Sequence, residues 1–341
     1  MRQFVELQQK LLPDLVEVLR QRYMLLRSLS HLQPIGRRAL AQAVGSTERI
    51  LRAEVDLLKA SGVLHVTAAG MSLSADGQRV LDELEPLVGE LFGLTELGER
   101  LQQLLGIDEV IVVQGNADHS PWVKQELGRV GARVLRQLVR EGDIVAVTGG
   151  SSVASVVQHL SFAPVFRQVQ FVPARGGLGG RVETQANTLA SAMAGKTGGS
   201  YRLLHVPDRL HADALETLRK EPQVREVLSL LQNAQIVLHG IGDALVMARR
   251  RNYTEAELAS LEAAGAVSEA FGYYFNEAGE AVEHLPTIGL QLEDVKKARS
   301  VISIAGGESK AKAILSFSRQ ACQNVLVTDE GAALAMLRAR L

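Results

Sequence analysis

The sequence predicts an α/β chain in two parts: a small helical head, then a larger domain built on a mostly parallel sheet. Three observations predict it. Two short helical patterns meet at Gly45 within an arginine-rich stretch. Seven short apolar runs between residues 109 and 328 alternate with helical patterns. Glycine-rich turns directly follow three of those runs.

Bulk properties set the bounds. A chain of 341 residues suggests at least two domains. The hydrophobic fraction of 46% and charged fraction of 22% are those of a globular protein. The net charge of −1 means that any nucleic-acid surface must be local. The single cysteine, Cys322, excludes an internal disulfide and reads as a buried thiol. The opening MRQFVELQQKLLPDL carries acids and no unbroken apolar core, so no secretory leader is expected there. No run reaches the roughly 18 apolar residues of a membrane span. A soluble cytoplasmic protein is the expectation.

The head comes first. Leu15, Val18, Leu19, Leu25, Leu26 and Leu29 recur at helical spacing up to Leu32, and Pro34 and Gly36 end the pattern. Arg37 to Val44 reads as a second helix. Gly45 suits the left-handed residue beyond its end, and the small Ala41 lets a third helix cross closely. Ser46 is the expected cap of that third helix, with Glu48 in its first turn and Ile50, Leu51, Val55 and Leu58 on its apolar face. After Gly62, VLHVTAAGMSLSADG reads as a two-stranded wing turning near Ala69-Gly70. This is the pattern of a winged helix-turn-helix, which places its recognition helix in the major groove of double-stranded DNA. From Arg20 to Arg52 seven arginines stand against one acid, Glu48. That excess is what phosphate binding requires. Ser46, Thr47, Arg49 and Arg52 are the candidates for the groove; Arg37 and Arg38 are the candidates for phosphates. The alternatives are a helical hairpin with a solvated arginine face and a winged helix that serves as a protein-interaction module.

Residues 76–106 read as an amphipathic helical connector that links the domains or dimerises the heads. The domains expected are therefore 1–75, 76–106 and 107–341.

In the larger domain the strand candidates are Glu109–Gln114, Ile144–Thr148, Val169–Pro173, Arg202–Val206, Ile236–Ile241, Val301–Ile304 and Val325–Thr328. Helical patterns at Lys124–Arg140, Glu183–Ala194, Glu255–Ala263 and Lys310–Ser318 lie between them. Ligands of such sheets bind at the carboxyl ends of the strands. Three strand-end loops look suited to phosphate. Gly149-Gly150-Ser151-Ser152 combines close backbone approach, a helix N-terminus and two hydroxyls. It lacks the spacing of a Walker A loop. Arg175, among the glycines of PARGGLGG, offers a planar fork for phosphate. Lys310 follows Gly306-Gly307 and places a point charge beside a helix N-terminus. Arg249, Arg250 and Arg251 follow another strand. Three adjacent arginines usually form a solvated turn, but beside three anion loops one or two can reach a second phosphate.

The head together with TGGSS, PARGGLGG, HGIGDA and AGGESKAKAI resembles the SorC family of sugar-responsive repressors, over essentially the whole chain. The resemblance implies a Rossmann-like, doubly wound sensor domain similar to glucosamine-6-phosphate deaminase and related sugar-phosphate isomerases. It implies a repressor of a glycolytic operon, induced by fructose 1,6-bisphosphate and without a cofactor. Its dimers would pair into tetramers on operator DNA. It also implies ligand contacts at the 149–152 loop, Arg175, Gln185, Arg250, Arg251, Glu269 and Lys310; Gln185 and Glu269 rest on the resemblance alone. Ser151 and Ser152 stand where the family has threonines, and the hydroxyls survive. A sensor of another phosphorylated sugar is the nearest alternative. A sugar-phosphate isomerase or deaminase is the remote one. Such enzymes carry Gly-His after the aspartate of the segment that Gly240-Ile241-Gly242-Asp243 matches, and here Ala244-Leu245 follows. Asp243 is expected to organise its loop.

Overall fold

A computed structural model describes residues 11–177, 181–209 and 211–339. The first ten residues, and Leu178-Gly179-Gly180 of the second glycine loop, lie outside the described residues.

The head opens with α1 (Pro13–Leu32), followed by α2 (Arg37–Ala43) and α3 (Glu48–Ala60). The turn between α2 and α3 closes as the sequence predicts. Gly45 is left-handed at φ 66°, the Gly45 amide donates to Gln42, and the Ser46 amide donates to the Ala41 carbonyl at 2.9 Å. These two bonds satisfy carbonyls that would otherwise end the helix unpaired. Ser46 is spent on this turn, so the cap moves one residue: the Thr47 hydroxyl accepts from the Ile50 amide. The wing is a hairpin of β1 (Leu64–Thr67) and β2 (Gly70–Leu73), antiparallel and in register from Leu64↔Leu73 to Thr67↔Gly70.

The connector is two helices, α4 (Ala75–Leu91) and α5 (Leu94–Leu105). The break is at Gly93, whose φ of 71° a continuous helix does not allow. Leu94, Leu97 and Leu101 bury one face of α5, and α5 packs against the first strand of the large sheet.

That sheet has seven parallel strands in the order β3-β13-β12-β7-β4-β5-β6. The chain runs β3 (Glu109–Val113), α6 (Pro121–Leu138), β4 (Ile144–Val147), α7 (Ser151–His159), β5 (Gln170–Pro173), α8 (Ala186–Thr197), β6 (Ser200–Tyr201), α9 (Ala212–Lys220), α10 (Pro222–Gln232) and β7 (Ile236–Gly240). Next comes an excursion: β8 (Gly242–Asp243), α11 (Ala244–Arg250), α12 (Glu255–Ala263), β9 (Ala266–Ala270), β10 (Tyr273–Asn276), β11 (Ala281–His284) and α13 (Leu292–Lys297). The chain then returns through β12 (Ser300–Ile304), α14 (Ala311–Ser318), β13 (Val325–Asp329) and α15 (Glu330–Arg338). Strand side chains alternate between two cores. Val145, Val147 and Phe171 pack with Leu127, Val153 and Leu189, while Ala146, Val172 and Val237 pack with Leu101, Leu231 and Phe317. Helices cover both faces, as a parallel sheet requires.

Two expectations need correction. The strand foreseen at Arg202–Val206 is the short β6, two residues earlier. Leu204 pairs both of its backbone groups with the Asn187 side chain, and Val206 accepts from the Gly177 amide. That backbone is satisfied away from the ladder, so the strand stops. The second correction is an unforeseen antiparallel sheet, β11-β10-β9-β8.

Candidate functional site

The crevice follows from topology. After β4 the chain moves to β5 on one side; after β7 it moves to β12 on the other. Connections leaving two neighbouring strands in opposite directions open a gap at their carboxyl ends, where ligands of such sheets bind. The gap lies between the Gly149–Ser152 loop and the Gly240–Asp243 loop. A Cβ at Gly240 would stand 4.0 Å from the Ser152 Cβ.

The first loop is held from behind. A Cβ at Gly149 would meet the Thr184 carbonyl oxygen at 2.7 Å, and that oxygen accepts from the Gly150 amide at 2.8 Å. Gly150, at φ 126°, turns the chain into α7. Among the described residues no side chain caps α7, so the amides of Ser151, Ser152 and Val153 are its open first-turn donors. The Ser151 and Ser152 hydroxyls also have no partner among the described residues. The Thr148 hydroxyl beside them is buried and has no partner among the described residues. Together these groups form a donor cluster at the positive end of a helix.

The second loop bears a buried lattice of charge. Arg175 Nη2 lies 2.8 Å from Asp208 Oδ1, and Arg175 Nη1 donates to Glu269 Oε1 at 3.2 Å. Arg251 donates through Nε to Asp208 Oδ2 at 3.1 Å, through Nη1 to the Tyr274 hydroxyl and through Nη2 to Glu269 Oε1 at 2.9 Å. All four charged residues are buried. Burial pushes the Glu269 carboxyl up, but the Arg251 and Arg175 charges and the Gly272 amide outweigh it, and the group ends below the ordinary carboxylate range. The pairing commits every Arg251 nitrogen to the protein. Arg175 differs: its buried Nε has no partner among the described residues, and its Nη2 meets Asp208 as an ion pair. Glu269 Oε2 accepts no hydrogen bond among the described residues, and a Cβ at Gly242 would stand 3.3 Å from it. An acceptor thus stands beside the Gly240–Asp243 loop.

The third loop is pinned by acids. The Gly307 amide donates to Asp329 Oδ2 at 2.7 Å, and the Ser309 amide and hydroxyl donate to Asp118 at 2.8 Å each. The amides beside Lys310 are therefore used by the protein, and its ammonium is what the loop offers. Lys310 is half-buried and has no ion pair among the described residues. Burial and the nearby Arg250 lower its pKa against the opposing pull of Asp243, Glu269 and Asp118. Arg250 and Arg249 are exposed on α11, which Asp243 caps through the Val246 amide at 2.9 Å. Gln185 ends the 3-10 turn before α8, and its Oε1 lies 2.9 Å from where a Gly177 Cβ would be. The loops foreseen from the sequence therefore converge on one crevice. Asp208, Asp329, Asp118 and Tyr274 were not foreseen. No sequence spacing marks a residue whose role is to hold another side chain.

The candidate nucleic-acid face is the exposed side of α3. Arg38, Thr47, Arg49 and Arg52 are exposed, while Ser46 and Arg37 are half-buried. Three of the seven arginines counted towards this face belong elsewhere. Arg20 pairs with Glu330 at 2.6 Å, Arg22 with Glu54 at 2.8 Å, and the buried Arg27 with Glu126 at 2.8 Å. Arg37 lies 3.8 Å from Asp56. Ile50, expected on the apolar face, is 54% exposed. One residue from Leu51 is about 100° of helical turn, enough to leave the buried face of Leu51, Val55 and Leu58.

Comparison with known proteins places both parts. Residues 18–88 match the model of the CggR N-terminal DNA binding domain, and residues 89–338 match a sugar-binding domain. The central glycolytic genes regulator of Priestia megaterium is 46% identical over 339 residues, covering 99% of each chain. That of Bacillus subtilis is 42% identical over 338 residues, again covering 99% of each. Among solved structures, a SorC-family transcriptional regulator from Enterococcus faecalis is 41% identical with a TM-score of 0.67, over 71% of this chain and 99% of that one. The full-length sorbitol operon regulator SorC of Klebsiella pneumoniae shares the fold at a TM-score of 0.67 and 21% identity, over 89% of this chain and 94% of its own. With a winged head, a doubly wound body and full-length relatives in agreement, this chain belongs to the SorC family of sugar-binding transcriptional regulators, alongside the central glycolytic genes regulators.

Proposed function

We propose that this protein represses a glycolytic operon from the cytoplasm and is released from its operator by fructose 1,6-bisphosphate. The observation that carries this reading is two donor clusters at one crevice: the first turn of α7 with Lys310, and Arg175, held by Asp208 and Glu269, with the exposed Arg250. A sugar bisphosphate brings about four negative charges near neutral pH. One phosphate is assigned to the first turn of α7 with Ser151, Ser152 and Lys310. The other is assigned to Arg175 and Arg250. Glu269 Oε2 and Gln185 take sugar hydroxyls. Arg251 and Asp208 position Arg175 and do not touch the ligand. Asp243, engaged as a helix cap, has no acid-base partner in this scheme, which supports a sensor over a deaminase.

A ligand releases DNA only if the two protein states hold it differently. Two elements lead from the crevice to α1 of the head. The helix that starts at the Ser151 cradle ends at His159, whose ring is 6.4 Å from that of His31 on α1. The Gly307 loop is tied to Asp329, and its neighbour Glu330 pairs with Arg20 of α1. Closure of the loops on a bisphosphate would shift α1 at Arg20 and at His31, and so the paired heads of a homodimer or homotetramer.

The test is a thermal-shift titration with fructose 1,6-bisphosphate, fructose 6-phosphate, glucosamine 6-phosphate and glucose. A ligand that binds only the folded state raises its melting temperature. Stabilisation chiefly by the bisphosphate, abolished in Lys310→Ala, is expected. A response confined to a monophosphate would transfer the reading to another sugar.

A further inference from the structure

The exposed half of α3 carries an apolar side chain that the cationic reading of the head does not use. Ile50 is 54% exposed in the first turns of the helix, between exposed Arg49 and exposed Arg52. Its neighbours settle which part of α3 faces DNA. In the second half, Glu54 is paired with Arg22 at 2.8 Å and Asp56 lies 3.8 Å from Arg37. Those carboxylates would repel phosphates. In the first half Glu48 is the lone acid, and it stands at the helix N-terminus, where the dipole favours it. The N-terminal half of a recognition helix is the part that reaches base edges.

A large exposed aliphatic residue flanked by arginines with no ion pair among the described residues suits one chemistry. A second copy of this chain would bring the same positive face and be repelled. A duplex brings phosphates for the arginines, and the major groove holds one apolar group, the thymine C5-methyl. We infer that Ile50 reads a thymine methyl in the major groove, and so sets base preference at one step of each half-site, while Arg49 and Arg52 set affinity.

The experiment uses the full chain and the duplex that wild-type protein selects from a randomised pool. Each thymine is replaced in turn by deoxyuridine, which keeps the hydrogen-bonding edge and lacks the methyl. Wild-type affinity should fall about threefold to fourfold at one step, the effect of one buried methyl, and Ile50→Ala should bind the two duplexes equally. Arg52→Ala should weaken both duplexes and keep their ratio, as a phosphate contact does. Ile50 is exposed, so the alanine variant is expected to melt at the wild-type temperature. Indifference of the wild type to every replacement would overturn the inference. So would an Ile50→Ala variant that keeps the full thymine preference, or an Arg52→Ala variant that loses it.

Discussion

Lys310 feels the negative charges of Asp243, Glu269 and Asp118 and bonds none of them among the described residues. Hydrogen bonds to charged groups contribute about 1.5–3 kcal/mol, so Lys310→Ala should weaken bisphosphate binding roughly 10- to 100-fold while the unliganded protein melts as before. Calorimetric titration measures this; equal affinity for the variant would remove Lys310 from the site. Asp208 makes the opposite prediction. Asp208→Asn leaves Arg175 and Arg251 short of a buried counter-charge, and such a loss costs about 3–5 kcal/mol. The variant should therefore melt lower even without ligand, and its sugar affinity should fall because Arg175 is no longer held. A variant with wild-type melting and wild-type affinity would show that Asp208 does not position Arg175. The buried carboxylates also give a pH dependence. Burial raises the Glu126 carboxyl, but the His31 and Arg129 side chains and the Arg27 charge outweigh it, and the group is held well below its ordinary range. Glu269 is depressed as well. A depressed folded-state pKa stabilises the protein above the unfolded-state value, near 4.3, and the contribution is lost as pH falls through the folded-state value. Stability should therefore hold at neutral pH and decline below about pH 4. In Glu126→Gln that decline should be shallower, as denaturant melts across the acid range would show.

Among the elements, α1 connects head and sensor. Arg27 of α1 pairs with Glu126 of α6 at 2.8 Å and lies 3.6 Å from Glu85 of α4, while Arg20 bonds Glu330 of α15 and the Phe92 carbonyl. Arg27→Met should leave sugar affinity intact, lower stability by about 3 kcal/mol and reduce the factor by which sugar weakens operator binding. An unchanged factor in anisotropy titrations would show that α1 does not transmit the signal. These couplings explain which elements the sequence made legible. The turn at Gly45, the wing and the six longer parallel strands rest on local signals: a left-handed glycine, period-two alternation, and apolar runs bounded by glycine. The break at Gly93 was missed because α4 and α5 together read as one amphipathic connector. The β8–β11 sheet was missed although its hairpin is short: Ala270 pairs with Tyr273 across Phe271 and Gly272, both with positive φ. Such turns favour Asn-Gly, and phenylalanine at the first position hid the signal. Glu269 sits on that sheet, which is why it followed from family resemblance and not from the residues. The glycine loops were visible one by one, but their convergence depends on strand order, which no local pattern encodes.

At the scale of the whole molecule, a net charge of −1 coexists with a cationic reading face. Operator affinity then depends on a few arginines and should fall steeply with salt. Arg52→Ala should weaken operator binding, flatten the salt slope by about one unit and leave sugar binding unchanged; an equal loss of both would make Arg52 a folding residue. The central claim is that sugar held in the crevice releases DNA held by the head. It is tested most directly by operator affinity at fixed salt, measured by anisotropy with and without fructose 1,6-bisphosphate, in wild type and in Lys310→Ala. The account predicts that the bisphosphate weakens operator binding at least fivefold in the wild type, the lower end of ordinary coupling between sites, and leaves the variant unaffected. Equal operator affinity with and without the sugar in the wild type would contradict it.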